Sequence, residues 1–236
     1  MTPHTMTRMR RLAAHAVAFG VLLTLAGCDP RTLMYFLQPY EPTIPAPGPS
    51  LKGKKVVVLT AADAGTLGRF PGLERDMARQ FTSNLKKQKK ITVVESEKVG
   101  DWIQGHPRWS DPVEAARDFE ADVVIVLEVE NFETRHPGDL NVLQGKAKVH
   151  IQAFELKHPT NSKGKPLTDQ PKESESIYDD YQETEFPRRG PIPMDSGVGE
   201  PTFKSKFLKI VSDECSWHFI EHAQEDMIED VRFNGR

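Results

Sequence analysis

Cysteine is scarce in this chain of 236 residues, which contains only two. Cys28 follows an apolar N-terminal segment, and Cys215 lies near the end of the chain. If Cys28 is modified, as its surroundings indicate below, no second thiol remains to form an intramolecular disulfide. We therefore expect the fold to be stabilised by packing of apolar side chains, and a disulfide-framed small scaffold is excluded.

A surplus of positive charge is also lacking, since 31 Lys and Arg stand against 34 Asp and Glu, a formal net charge of −3. The first 27 residues hold three of the arginines and no acid, so the remaining 209 residues carry 28 basic and 34 acidic side chains and a formal charge of −6. Nucleic-acid binding requires a basic surface that neutralises phosphates. The charge balance excludes nucleic acid as the partner.

Motifs for phosphate, metal and thiol chemistry are incomplete. Gly65–Arg69 follows a predicted strand but has neither the G-x-G-x-x-G nor the G-x-x-x-x-G-K-[ST] spacing, which favours a plain connecting loop. His218 and His222 have the i, i+4 spacing of zinc ligands without the H-E-x-x-H order, and we expect them at a solvated edge. Cys215 lies on an apolar stripe and is predicted to be a buried, inert thiol. We predict no catalytic residue, no metal and no cofactor, hence a protein that is not an enzyme.

The longest apolar run lies at the N-terminus, from Leu12 to Ala26. Three arginines precede it and small residues end it, which predicts a secretory signal peptide over residues 1–27. The run is short for a membrane-spanning helix.

The segment Leu25–Cys28 (LAGC) resembles the lipobox of bacterial lipoproteins, in which the cysteine thiol receives a diacylglycerol and becomes the new N-terminus. The alternative is an ordinary secretory signal followed by a chance cysteine. The resemblance implies attachment to a membrane by lipid on Cys28, on the periplasmic or another extracytoplasmic side. Asp29 resembles the inner-membrane retention signal of enteric bacteria, but that rule differs between lineages, so inner and outer membrane both remain open.

Prolines are dense after the cysteine, with five between residues 39 and 49. We predict that residues 28–53 form the lipid anchor and an extended, proline-rich tether, a disordered leader being the alternative. A single α/β domain is predicted over residues 54–230, with an irregular insertion at 157–201 and a tail at 231–236.

Hydrophobic patterning predicts the element order β-α-β-α-β-β-β-α, and thus a two-layer or three-layer α/β domain with a mixed sheet of about five strands. Val56–Leu59 and Asp122–Val129 are apolar runs typical of strands buried on both faces, and the second is expected at the sheet centre. Asp111 before Pro112 predicts the start of a short helix. Two longer helices carry the apolar stripes Leu73, Met77, Phe81, Leu85 and Leu208, Val211, Cys215, Phe219, Ala223, Met227.

Alternation of apolar and polar residues from Glu128 onward predicts antiparallel strands joined near His136–Asp139. Ser176–Phe186 is a weaker candidate for a final strand because it is acidic. A basic partner or calcium are possible ligands of that acidic run, but the EF-hand spacing is absent and a solvated strand face or loop is favoured. The run consists of Glu173, Glu175, Asp179, Asp180, Glu183 and Glu185.

The runs KKVVVLTAAD, ITVVES, EAARDFEADVVIVLEVE and GKAKVHIQAFEL resemble a periplasmic lipoprotein domain. That domain is shared by the curli-secretion lipoprotein, the penicillin-binding-protein activator lipoprotein and the N-terminal part of the translocation protein TolB. The resemblance spans residues 54–157 and the final helix. It implies an α/β fold and a non-catalytic adaptor or structural binding module for another envelope protein. A component of an oligomeric secretion or transport assembly and a metal-dependent hydrolase are the alternatives, and the oligomeric state stays open.

Trp102 and Trp109 flank a short loop that contains Gly105, His106 and Pro107. Exposed, these two rings would be anchors for a partner, and we take them as the candidate partner-binding residues. Buried, they would cap the end of the sheet, and both interpretations remain open.

Overall fold

The structure is a computed structural model that describes residues 42–107, 109–161, 166–170 and 172–223. From Thr43 onward the described chain forms one compact unit. Its strands are β1 (Thr43–Ile44), β2 (Lys55–Ala62), β3 (Thr92–Val93), β4 (Val123–His136), β5 (Asp139–Lys157), β6 (Glu173–Phe186), β7 (Ile192–Pro193) and β8 (His222–Ala223). Its helices are α1 (Ala64–Arg69), α2 (Leu73–Lys86), α3 (Ser96–Gly105), α4 (Pro112–Asp118) and α5 (Glu200–Trp217), with a 3₁₀ turn at Met194–Ser196.

A mixed sheet of six strands is the centre of the fold. Five of them lie in the order β3-β2-β4-β5-β6, and β7 pairs with the end of β5. The neighbours β3, β2 and β4 are parallel, whereas β4, β5 and β6 are antiparallel. The predicted α/β class and mixed sheet are confirmed, and the apolar strand β4 does lie at the sheet centre.

Two separate apolar clusters lie on opposite faces of this sheet. Val56 and Val58 of β2 belong to one cluster, while Val57 and Leu59 belong to the other. Successive side chains of a strand point to opposite faces, so a continuous apolar run is stable only where both faces are covered. This accounts for the β-branched runs in β2 and β4.

Helices α2 and α5 lie side by side on the first face. The predicted stripe of α2 is buried, as are Leu208, Val211 and Cys215 of α5. Polar contacts align the two helices, since Asn84 donates from Nδ2 to Asp213 Oδ1 over 2.8 Å. The predicted packing of the last helix beside the first is confirmed.

Helices α3 and α4 cover the second face. The predicted cap of α4 is present, because Asp111 accepts a hydrogen bond of 2.9 Å from the backbone N–H of Val113 and Pro112 is the first helical residue. Helix α3 was missed by the sequence analysis. Its apolar positions Val99, Trp102 and Ile103 span little more than one turn, which is too short for a clear periodic signal.

The last helix ends earlier than its predicted stripe, at Trp217. The prediction that it continues through Ala223 is wrong, because His222 and Ala223 form β8 and pair with Ile44 and Thr43. Met227 lies outside the described residues.

The end of the predicted tether packs on the domain. Gly48 donates its backbone N–H to the carbonyl oxygen of His218 over 2.8 Å, and Leu51 is 1% exposed. Residues 43–53 therefore belong with the folded domain, because backbone pairing and burial of Leu51 stabilise them there. Cys28 and the signal segment lie outside the described residues. No helix in the described part of the chain is both long and apolar enough to cross a membrane.

The predicted irregular insertion at 157–201 contains the 14-residue strand β6. Its acids face solvent, while Thr184 and Phe186 on its inner side are buried against α5. The segment forms a regular strand because it pairs with β5 along its length. This pairing joins residues distant in sequence, so the acidic composition of the segment did not predict it.

The sheet is covered unevenly. Helices α2 and α5 lie along one face, whereas α3 and α4 cover the opposite face at β2 and the first half of β4. Within the described residues the fold thus has three layers at β2 and the first half of β4. It has two layers over the second half of β4 and over β5 and β6, where no described helix covers one face of the sheet.

Candidate binding face

We define the open sheet face as the outward side chains of β4, β5 and β6 that no described helix covers. They are Glu128, Glu130 and Glu133 of β4, Lys146, Lys148, His150 and Gln152 of β5, and Asp179, Tyr181, Glu183 and Glu185 of β6. The opposite side of the same strands is apolar and buried, with Val149 and Ile151 fully enclosed. The alternation predicted for β5 is confirmed, since Lys146, Lys148, His150 and Gln152 share this surface. The acids of β4 and β6 join them through the strand register.

Strand register brings three of these residues into one row. His150 of β5 lies directly opposite Glu128 of β4 on one side and Tyr181 of β6 on the other. The rows above and below pair Lys148 with Glu183 and Gln152 with Asp179. The middle strand therefore carries the basic groups, and the two flanking strands carry the acids.

Tyr181 is the aromatic centre of the face. Its ring stacks on the ring of His150, with centroids 4.4 Å apart and planes at 10°. The ammonium group of Lys148 lies 4.4 Å from the same ring centroid, a cation–π contact. Tyr181 nevertheless stays 45% exposed. It is thus an aromatic side chain held in one position and still available for contact, the pattern of residues that dominate protein interfaces.

An ion pair and two contacts between His150 and carboxylates surround this ring. His150 Nε2 lies 2.6 Å from Asp179 Oδ1, and its Nδ1 lies 3.9 Å from Glu128 Oε2. Lys148 Nζ lies 2.8 Å from Glu130 Oε2. The hydrogen bond with His150 lowers the pKa of Asp179, and the hydrogen bond with Glu130 raises the pKa of Lys148. Both charged forms are thereby favoured, and the contacts orient the side chains around the ring of Tyr181.

The open sheet face is acidic overall, with six carboxylates against two ammonium groups and one histidine. Lys146 lies 3.8 Å from Glu185, and Lys148 pairs with Glu130. In the described part of the chain no Lys or Arg forms an ion pair with Glu128, Glu133 or Glu183. These three carboxylates are the groups that a cation from outside can pair with.

Trp102 and Trp109 lie on the same side of the sheet as this face, but over the part that α3 and α4 cover. Both are half-buried and pack against the cluster beneath α3 and α4. Trp102 stacks on His106 at 4.4 Å between centroids and donates its Nε1–H to Asp118 Oδ2 over 2.8 Å. Their contacts agree with the capping interpretation, and their partner-binding role stays a prediction.

The histidines considered as metal ligands are engaged in other contacts. His218 follows the end of α5, and its ring nitrogens lie 2.6 Å from Tyr178 Oη and 2.9 Å from Gln182 Oε1. His222 belongs to β8, so the two histidines do not share a helix and their i, i+4 spacing does not place them on one helix face. The expectation that both lie at a solvated edge is wrong for His218, which is buried. In the described ranges no group of three or more His, Cys, Asp or Glu has metal-binding geometry.

Burial sets the ionisation of the groups at this end of α5. Burial lowers the pKa of His218 and raises the pKa of Tyr178 to about 12, so both are neutral at pH 7. Burial likewise raises the pKa of the Cys215 thiol, as expected for an inert cysteine. The cluster serves packing of α5 against β6.

The connection after β2 is also structural, but the prediction of a plain loop over Gly65–Arg69 is wrong, because these residues form the short helix α1. Asp63 accepts hydrogen bonds from the backbone N–H groups of Gly65 and Thr66 at the start of the six-residue helix α1. The pKa of Asp63 is lowered, chiefly because its carboxylate accepts a hydrogen bond from the Thr66 hydroxyl. The side chain of Asp63 thus caps the start of this short helix.

Sequence reasoning missed the cluster of Tyr181, His150 and Lys148. The alternation in β5 predicted that Lys148 and His150 share a face, but the register that places Tyr181 beside them depends on a bulge between Ala153 and Phe154. No local signal in the sequence marks that bulge.

Comparison with known proteins gives only distant similarities. The chain is similar to the PelC dodecamer from Paraburkholderia phytofirmans, with 14% identity, 75% of this chain and 94% of that chain covered, and a TM-score of 0.40. It is similar to lipoprotein GNA1162 from Neisseria meningitidis, with 10% identity, coverages of 70% and 96%, and a TM-score of 0.39. It is also similar to the C-terminal domain of LpoB from Salmonella enterica, with 13% identity, coverages of 59% and 87%, and a TM-score of 0.35.

No protein-family model and no curated protein matches the sequence. Structural similarity at TM-scores below 0.5 assigns the chain to none of these families.

Proposed function

We propose that this protein is a lipid-anchored, extracytoplasmic binding module. It is held to a membrane through Cys28, has no catalytic activity of its own, and binds another protein of the cell envelope through the open sheet face. The observation that carries the proposal is the incomplete cover of the sheet, which leaves Tyr181 exposed at the centre of a fixed set of charged side chains.

The chemistry of the open sheet face suits recognition of a protein. Exposed aromatic rings surrounded by polar groups are the residues most often found to dominate binding energy. Because His150 is only 15% exposed and is held by Asp179, the ring of Tyr181 loses little freedom on binding. Preorganisation of this kind favours affinity.

The strongest candidate nucleophile and base of the described residues are buried, which supports a role without catalysis. The Cys215 thiol is fully buried among apolar side chains, and His218 is enclosed by Tyr178 and Gln182. Neither group is accessible to a substrate at an open cleft. These contacts favour a binding module over the metal-dependent hydrolase.

Anchoring by lipid is argued from the sequence, because the LAGC segment and the preceding apolar run are those of a lipoprotein signal. Residues 43–53 pack on the domain, so only the segment between Cys28 and Thr43 separates the lipid from the folded part. The binding module would then act close to the membrane.

Site-specific photocrosslinking tests the proposal. A photoreactive amino acid replaces Tyr181 in the full chain, in cells of the organism that encodes it. The matched control places the same group at Gln80, an exposed position on α2. We expect one discrete adduct with another envelope protein from position 181 and none of that mass from position 80. Absence of a discrete adduct at 181, or identical adducts at both positions, would refute the proposal.

A further inference from the structure

We infer that the partner of the open sheet face presents a basic segment, with an arginine that lies over the exposed part of Tyr181 and pairs with Glu183. This inference deepens the proposed function and rests on it. It names the chemistry of the partner that binds the open sheet face.

The charges that remain unpaired within the described residues specify the sign of the partner. Lys146, Lys148 and His150 each lie beside an acid of a neighbouring strand. Lys146 and Lys148 lie opposite Glu133 and Glu183 in the strand register, but their ammonium groups lie within 4 Å of Glu185 and Glu130 instead. Within the described residues Glu128, Glu133 and Glu183 therefore form no ion pair with a Lys or Arg. An acidic partner would meet these carboxylates with repulsion, whereas cations of a basic partner complete the pairs.

The geometry of the acids specifies the width of the segment. The unpaired carboxylates lie on β4 and β6, the two neighbours of β5. Since adjacent strands are about 4.8 Å apart, the two acidic rows are separated by about 10 Å. A single strand or helix laid along β5 reaches both rows with its basic side chains.

The ring of Tyr181 favours arginine over lysine. A planar guanidinium stacks on an aromatic face and can pair with a carboxylate at the same time. Lys148 already lies against this ring, and its ammonium is held by Glu130. The exposed remainder of the ring, next to Glu183 of the same strand, is the place for the partner's cation.

A second copy of this chain does not fit the same position. Its open sheet face has the same excess of acids, so a twofold pairing would bring carboxylates of β4 and β6 together. Like charges placed opposite each other oppose association. The partner is therefore a different, basic protein.

Peptide titrations test the chemistry with defined probes. The full chain in a neutral detergent is titrated with fluorescent arginine–glycine, lysine–glycine and glutamate–glycine peptides of equal length. One variant combines Glu128→Gln, Glu133→Gln and Glu183→Gln. The control combines Asp101→Asn, Asp195→Asn and Glu221→Gln, three exposed acids away from the face, so both variants lose the same charge.

We expect the arginine peptide to bind with the highest affinity. The face variant should lose about tenfold in affinity and the control less than about twofold, since the interaction is local. Tyr181→Leu should weaken the arginine peptide by about two- to fivefold, the size of an exposed cation–π contact, and the lysine peptide less. Equal losses in both variants, or no binding of the arginine peptide, would overturn the inference.

The crosslinked adduct separates this inference from the proposed function. The partner segment joined to position 181 is sequenced by mass spectrometry. A segment with clustered Arg and Lys supports the inference. An acidic or apolar segment overturns the inference and leaves the binding module intact, whereas lack of any adduct overturns both.

Discussion

Replacing Gly48 by alanine tests whether the end of the proline-rich segment is part of the folded domain. A Cβ atom at this position would lie 2.4 Å from the carbonyl oxygen of His218, where ordinary contact begins at 3.4 Å. The backbone must therefore move away by about 1 Å. Backbone shifts forced by an extra methyl group in a packed site typically lower the free energy of unfolding by about 1–3 kcal/mol. The hydrogen bond between Gly48 and His218 and the pairing of β1 with β8 are the contacts that weaken.

The effect is measured by urea unfolding of the full chain in neutral detergent, followed by fluorescence. Trp217 reports on this region, because its ring stacks on His222 of β8 with centroids 4.2 Å apart. Gly100→Ala is the matched control, since no atom lies within 4 Å of a Cβ there. In the helix α3 that change should stabilise by up to about 1 kcal/mol. If Gly48→Ala is as stable as the unmodified chain, the packing of residues 43–53 is refuted.

Three further predictions concern ionisation, a buried carboxylate and the anchor. Burial lowers the pKa of His218 below its ordinary value of 6.5, so below that pH the unfolded chain binds more protons than the folded one. The free energy of unfolding is therefore full above about pH 6.5 and falls on acidification. His218→Gln should flatten this dependence in unfolding curves measured between about pH 5 and 8. Glu214 accepts hydrogen bonds from Thr184 and Arg188, and its side chain is 6% exposed. Glu214→Ala should therefore reduce the free energy of unfolding by about 1–3 kcal/mol. An unchanged midpoint of urea unfolding would contradict these contacts. Cys28→Ser should abolish incorporation of labelled palmitate into the chain, and labelling that persists in this variant would exclude Cys28 as the site of the lipid.

Local patterns predicted much of the fold. The stripe of α2, the cap formed by Asp111 and the apolar run of β4 each depend on neighbours in sequence, and the structure confirms them. The end of α5 and the place of residues 43–53 were not predictable in this way. They depend on the pairing of Thr43 with Ala223, residues at opposite ends of the described chain.

The open sheet face likewise combines features that the local sequence predicted with features that depend on strand register. Alternation in β5 placed Lys148 and His150 on one side, whereas the acids of β6 made that strand weak as a prediction. The aromatic centre arises only when the register of β6 brings Tyr181 beside His150. Large aromatic rings in a short loop favoured Trp102 and Trp109 as binding residues, yet both pack against a core cluster. The more exposed aromatic residue is Tyr181, in an acidic strand.

The affinity of Tyr181→Ala for the crosslinked partner tests the central claim most directly. The partner is purified and titrated against the full chain, against Tyr181→Ala and against the control Gln80→Ala. We expect a loss of at least about tenfold for Tyr181→Ala, as for a residue at the centre of an interface, and no change for the control. Equal affinity of Tyr181→Ala and the unmodified chain would contradict a binding role of the open sheet face.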